Sequence, residues 1–131
     1  MEIILDTNFV IYLFRYKLID SLVSLRPSLV IVPDCVVSEL NKLIKTKKGR
    51  DRESAKLGLM LIDRLKSQKM LSVVQSSSKY TDDALFDLAM EKNDKGIKVL
   101  VATLDKWLIK KLKKAKIGIL GIRQKKYLII Y

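Results

Sequence analysis

Short runs of apolar, β-branched residues alternate along the chain with longer segments in which apolar side chains recur every three or four positions. The runs predict strands at Glu2–Leu5, Leu29–Val32, Leu71–Val74, Lys98–Ala102 and Ile117–Ile122. "LVIV" and "KVLVA" are apolar throughout rather than alternating, the pattern of parallel strands covered on both faces. Helical spacing predicts helices at Phe9–Lys17, Ile19–Leu25, Cys35–Lys45, Glu53–Gln68, Asp82–Lys92 and Asp105–Lys114. In the longest of these the buried stripe should be Leu57, Met60, Leu61 and Leu65. Strand followed by helix, repeatedly, predicts an α/β fold with a central parallel sheet. Two polar stretches, "KTKKGRDRE" at 45–53 and "QSSSKYTDD" at 75–83, read as surface connections within a single domain spanning 1–131. The segment "YLII" at 127–130 is either a last strand or an apolar patch docked on the body or on a partner.

Composition narrows the function classes. A hydrophobic fraction of 49% over 131 residues excludes a disordered chain. No apolar run approaches the roughly 20 residues of a membrane helix, and the charged start does not resemble a signal peptide. The single cysteine, Cys35, cannot form an internal disulfide, so a reducing cytoplasm is the expected location. No GxGxxG or P-loop follows any strand, which argues against nucleotide binding. Charge adds a partner class: 26 basic residues against 14 acids give +12. From residue 101 onward nine lysines and arginines, among them Lys110, face one acid, Asp105. Such a field favours polyanions, nucleic acid first, or else only keeps the protein solvated.

The scarce acids fall in telling places. Asp6 ends the first strand, directly against the run Ile3, Ile4, Leu5. From Asp82 the positions i+3, i+4 and i+7 are Leu85, Phe86 and Ala89, and from Asp105 they are Leu108, Ile109 and Leu112. Glu39 sits beside Val36 and Leu43, so all these acids should look inward. Asp83 and Asp87 look outward by the same arithmetic, and Asp34 after Pro33 reads as a helix N-cap. Thr81 is the expected cap beside Asp82. Taken singly, each acid is as well explained by a cap or by the helix dipole. Together, carboxylates gathered without basic partners repel one another, and a hard divalent cation, Mg²⁺ or Mn²⁺, relieves that. Zinc is disfavoured in a chain with no histidine and one thiol. In an open parallel sheet the carboxyl ends of the strands, where strand order reverses, are where such groups meet.

At this point the sequence resembles the PIN-domain nucleases. The matching residues are "ILDTN" (4–8), "VVSELNKL" (36–43), "TDDALFDLA" (81–89) and "VATLDKWLIKKL" (101–112), in the family's order and spread over nearly the whole chain. The resemblance implies a three-layer α/β/α domain with five parallel strands in the order 3-2-1-4-5. It implies that Asp6, Glu39, Asp82 and Asp105 are the catalytic and metal-binding quartet, with Asn8 and Thr103 in support. Leu104 departs from the pattern, since many relatives have a polar residue immediately before the last Asp.

The expected activity is therefore Mg²⁺- or Mn²⁺-dependent endonucleolytic cleavage of RNA, with metal-activated water as nucleophile. Lys45, Lys47, Lys48, Arg50, Arg52 and Lys110 would hold the backbone. Tyr80 or Trp107 could stack a base, although packing is the ordinary role of such residues. The resemblance covers two biological roles: a VapC-like toxin, often dimeric and covered by a small antitoxin, or a ribosomal-RNA-processing enzyme working with ribosome-assembly proteins. The "DDAL" and "VATLD" motifs lean toward processing. A catalytically silent PIN module binding RNA or a protein is the competing reading. A receiver-like signalling domain fits less well, because Thr7 stands where it would carry a second acid.

Overall fold

The first strand is followed within two residues by a helix, because Asp6 both ends one and caps the other. Its backbone is extended (φ −85°, ψ 157°) and its carboxylate accepts from the Thr7 N–H. A computed structural model describes residues 1–131. In chain order it contains β1 (Glu2–Leu5), α1 (Thr7–Arg15), α2 (Ile19–Ser24), β2 (Leu29–Pro33), α3 (Asp34–Thr46) and α4 (Gly49–Ser67). There follow β3 (Leu71–Val74), α5 (Thr81–Asp94), β4 (Val99–Ala102), α6 (Lys106–Lys114), β5 (Gly118–Arg123) and β6 (Tyr127–Ile130).

The sheet order is β3-β2-β1-β4-β5-β6. The first five strands are parallel in the expected order, with Ile3 opposite Val30 on one side and Leu100 on the other. A sixth strand was not in the expected sheet: "YLII" pairs antiparallel with β5, Leu120 opposite Ile130. It arrives by a tight turn in which Gln124 and Lys125 both take positive φ, which neither residue type favours.

The continuous apolar runs are explained by two cores. Ile3, Leu5, Val30, Val32 and Leu100 point to the face covered by α1 to α4. Ile4, Ile31, Val99, Val101 and Ile119 point to the face covered by α5 and α6. That is the α/β/α layering, and in β1, β2 and β4 the apolar residues are needed on one face or the other. The helix α4 departs from expectation twice. It begins at Gly49 rather than Glu53, so "KTKKGRDRE" is a helix–helix corner rather than a loop. Its buried face is Ala55, Gly58, Leu61, Ile62 and Leu65, while Met60 is exposed. The shift follows from Gly58: a β-carbon there would stand 2.9 Å from Val10 Cγ1, so a residue without one lets α4 lie against α1.

The crossovers from β1 and β4 leave on opposite faces, opening a crevice at the carboxyl ends of these neighbouring strands. No helix is long and apolar enough to cross a membrane.

Candidate active site

That crevice is a cavity of about 350 Å³ lined by Asp6, Thr7, Asn8, Tyr12, Glu39, Thr81, Asp82, Leu104 and Asp105. The four acids singled out in the sequence thus line one cavity, reached from β1, α3, α5 and the end of β4. They do not all look inward. Asp6 is buried and Asp105 half-buried, but Glu39 and Asp82 are exposed at the rim. Their helical positions lie beside the apolar stripes, Glu39 next to buried Leu40 and Asp82 in the first turn of α5 ahead of buried Leu85.

Asp6 is the most constrained. One carboxylate oxygen accepts from the Thr7 N–H at 2.7 Å and the other from the Thr103 hydroxyl at 2.7 Å. Thr103, fully buried, in turn accepts from the Asp105 N–H at 3.1 Å, so one hydroxyl ties the β1 acid to the turn carrying the last acid. Asp105 caps α6 by accepting from the Leu108 N–H at 2.8 Å. Glu39 is held by the Thr81 hydroxyl, which donates to it across from α5. Thr81 is therefore not the cap: Tyr80 occupies the N-cap position of α5 and Thr81 is its first helical residue. Nor is Asp34 a cap, that position being taken by Pro33. Asp34 instead accepts from the Ser76 hydroxyl and N–H, while the same hydroxyl accepts from the Cys35 N–H, clipping the β3–α5 connection to the start of α3. These bonds hold the Asp34 carboxyl below its ordinary range.

The electrostatics are those of crowded anions. Burial raises the Asp6 carboxyl to about 6, against the hydrogen bonds from Thr103 and Thr7, and the charges of Asp82 and Glu39 add to the rise. Although exposed at the rim, Glu39 and Asp82 lose water on the side facing the cavity, and this partial desolvation raises both carboxyls; Asp82 adds to the rise of Glu39 against a hydrogen bond from Thr7, and Asp105 adds to that of Asp82. The ion pairs in the structure join Arg15 to Asp51, Lys92 to Glu2, Lys95 to Glu91 and Lys111 to Asp83; none involves the four acids. No three of them converge within reach of one ion as they stand.

The remaining candidates divide. Asn8 lines the cavity, and Thr103 lies directly behind Asp6. Lys47 lines an adjoining hollow of about 200 Å³ that shares Asn8 and Tyr12 with the acidic cavity. The Arg15–Asp51 pair, at 3.1 Å, fastens this corner to α1. Lys45, Lys48, Arg50, Arg52 and Lys110 are exposed and line neither hollow. Three contributors were not given a site role in the sequence: Tyr12, Thr7, and Thr81, which was read only as a helix cap. Thr7 alone left a signal, as the small polar residue between Asp6 and Asn8.

A PIN-like domain family model matches residues 3–125. The chain belongs to the PIN-like domain family. This PIN-like domain is 32% identical to a protein named Ribonuclease VapC4 from Methanocaldococcus jannaschii, over 99% of this chain and 96% of that protein. Among solved structures it is similar to a domain of a functionally unknown protein from the same organism, with a TM-score of 0.63 and 17% identity over 98% of this chain and 95% of the other. At that identity the likeness concerns the PIN-like fold alone.

Proposed function

We propose that this PIN-like domain is a VapC-type, metal-dependent endoribonuclease, with Asp6, Glu39, Asp82 and Asp105 as its catalytic and metal-holding residues. The observation that carries the reading is the electrostatic one. Four carboxylates share a cavity, three are raised by desolvation and by neighbouring acids, and none has a basic ion-pair partner. Repulsion of this kind persists in a fold when a cation offsets it.

The donor set suits a hard ion. Every ligating group is an oxygen, and the chain has no histidine. When bound, Mg²⁺ or Mn²⁺ supplies the charge that activates water and stabilises the departing oxygen. The protein supplies orientation. Thr7 and Thr103 fix both oxygens of Asp6, the α6 cap fixes one oxygen of Asp105, and Thr81 fixes Glu39. Asn8 and Thr103 support the quartet. The basic α3–α4 corner and Lys110 hold the RNA backbone by charge.

Of the two roles the resemblance implies, likeness to a VapC ribonuclease favours the toxin type over ribosomal-RNA processing. Its expected partners are an antitoxin covering the cavity and a second copy of the chain, in the cytoplasm where RNA is met. A silent, RNA-binding PIN module is the second reading. It is favoured by Leu104 and by the distance that keeps any three acids from one ion.

The test is cleavage of single-stranded RNA with Mn²⁺ by the wild type, Asp6→Asn and Asp105→Asn. Asparagine caps helices as well as aspartate, so the second substitution keeps α6. Loss of cleavage in both supports the assignment. Undiminished cleavage in both removes it, and RNA binding without cleavage by the wild type turns the reading to the silent module.

A further inference from the structure

The sheet ends at β6 in an open edge without a charge on it. Ile119 and Tyr131 exchange both backbone bonds, at 3.1 and 2.8 Å. In an antiparallel ladder the next pair, Leu120 opposite Ile130, must then turn its N–H and C=O groups away from each other. Those of Leu120 go to the β4 side, where its carbonyl accepts from the Thr103 N–H, and those of Ile130 go to the outside. The same alternation turns Leu128 outward. An exposed row of this kind is usually blunted by charge or proline, and Tyr127–Ile130 carries neither.

Apolar side chains gather at this edge. Of the seven large apolar residues that stand in water, Tyr80 and Trp107 lie near the acidic cavity and Met60 on α4. The other four are Tyr127, Ile130, Tyr131 and Val23, the last on α2, which touches β6. A hollow of about 370 Å³ lies against the strand, lined by Arg123, Gln124, Tyr127, Leu128 and Ile129.

The two faces of the edge differ. Ile119 packs under α5 and α6, so the period of two puts Arg123, Tyr127, Ile129 and Tyr131 on that side. There Lys113 Nζ lies 5.4 Å from the Tyr131 ring centre. Leu128 and Ile130 lie on the other side, that of α2. From Lys106 to Tyr131 the chain has nine lysines and arginines and no acid. The edge is therefore cationic toward α6 and apolar toward α2.

We propose that β6 is a docking edge for an extended, acidic segment of a partner protein, which adds as a seventh strand. Its alternate side chains would be carboxylates toward Lys113 and Arg123 and apolar groups toward Ile130 and Val23. A phosphate backbone answers the charge but offers no peptide groups at strand spacing to the outward row. A second copy of the chain would set one basic frame against another. The inference does not rest on the ribonuclease reading, since the hollow beside β6 and the acidic cavity have no residue in common.

The experiment titrates the full chain with a labelled peptide of alternating valine and glutamate, its lysine-for-glutamate counterpart, and labelled single-stranded RNA. The glutamate peptide should bind at least about tenfold more tightly than the lysine peptide. Followed by NMR, it should slow amide exchange at Leu128 and Ile130 and not at Asn8. Ile130→Pro removes one outward N–H without breaking a bond to β5, and should bind the peptide about tenfold more weakly than Ile130→Ala. Lys113→Glu with Arg123→Glu, both exposed, gives a second route: it should reverse the preference between the two peptides. Failure of the glutamate peptide to bind, equal binding of both peptides, or saturation without protection at Leu128 and Ile130 would each overturn the proposal. So would protection of those amides by the RNA alone, or self-association of the free chain that Ile130→Pro abolishes, which would give the edge to RNA or to a second copy. Cleavage of RNA by the wild type, measured separately, bears only on the ribonuclease reading.

Discussion

Replacing Asp6 by asparagine should make the protein more stable while abolishing its activity, and the two effects have one cause. In the folded chain the Asp6 carboxyl is raised from 3.8 to about 6, chiefly by burial, and the side chain is only 8% exposed. A rise of that size corresponds to about 3 kcal/mol between the two protonation states. The sign follows from linkage. A carboxyl with a raised folded pKa favours the fold below 3.8, where it is protonated in both states, and that contribution is lost as pH rises through about 6. Near pH 7.5 wild-type folding therefore bears the cost of a buried charge, and the neutral amide does not. One of the two bonds from Thr7 and Thr103 is weakened by the amide, which returns about 1 kcal/mol. A net stabilisation of about 1–2 kcal/mol remains, or roughly 4–8 °C in Tm for a chain of this size. Thermal unfolding followed by circular dichroism in EDTA, at about pH 7.5 and about pH 4, measures it. The gap between the proteins should be wide at the higher pH and close at the lower, and millimolar Mn²⁺ should raise the wild-type Tm alone. A variant less stable than wild type near neutrality, or a gap indifferent to pH, would refute the reasoning.

Thr103→Val keeps shape but removes the hydroxyl that joins Asp6 to the Asp105 N–H; it should cost about 1–3 kcal/mol by denaturant titration and move the acid limb of the pH–rate profile upward. Gly118→Ala would set a methyl 2.5 Å from Leu100 Cδ2, inside the β4–β5 pairing, and should destabilise by about 1–3 kcal/mol without changing the pH profile. Exchanging Lys47, Lys48, Arg50 and Arg52 for glutamine should flatten the dependence of log affinity for single-stranded RNA on log salt, by about 0.7 for each phosphate no longer neutralised. An unchanged slope would show that this corner does not touch the strand.

What the sequence disclosed, and what it hid, follows from how far each signal extends along the chain. Parallel strands are apolar over four or five consecutive residues, so β1 to β5 and their helices were legible, as were the acids placed after them. The first turn of α4 was not, because "GRDR" carries no apolar residue and is fastened at Asp51 by an ion pair with Arg15, a residue 36 positions away. The buried stripe of that helix was misassigned because Leu and Met recur on two faces, and only the approach of Val10 to Gly58 selects one. The hydroxyls that hold the site share the same difficulty: Thr103 and Asp6 are 97 positions apart and Thr81 and Glu39 are 42. The exposure of Tyr80 and Trp107 was equally silent, since helical spacing says little about which way a first-turn residue faces.

The charge distribution resolves an apparent contradiction, a chain of +12 that keeps four acids unpaired. Cations do lie near the rim: Lys42 lowers the Glu39 carboxyl and Lys111 lowers that of Asp82, but burial and the other acids outweigh both. Lysine ends on long, mobile stems in water are screened beyond about 8 Å at physiological salt, whereas carboxylates within one cavity are screened much less. The positive surface therefore acts on a polyanion that comes up against it, and leaves the interior of the cavity negative. The two fields have different tasks. If the lysines reached the acids, the cavity would be neutral and a divalent ion would find no site. If the surface were as acidic as the cavity, a phosphate backbone would be turned away before it reached the acids. On the proposed function, separating the charges by depth would let one small domain attract both a cation and an RNA strand to the same place.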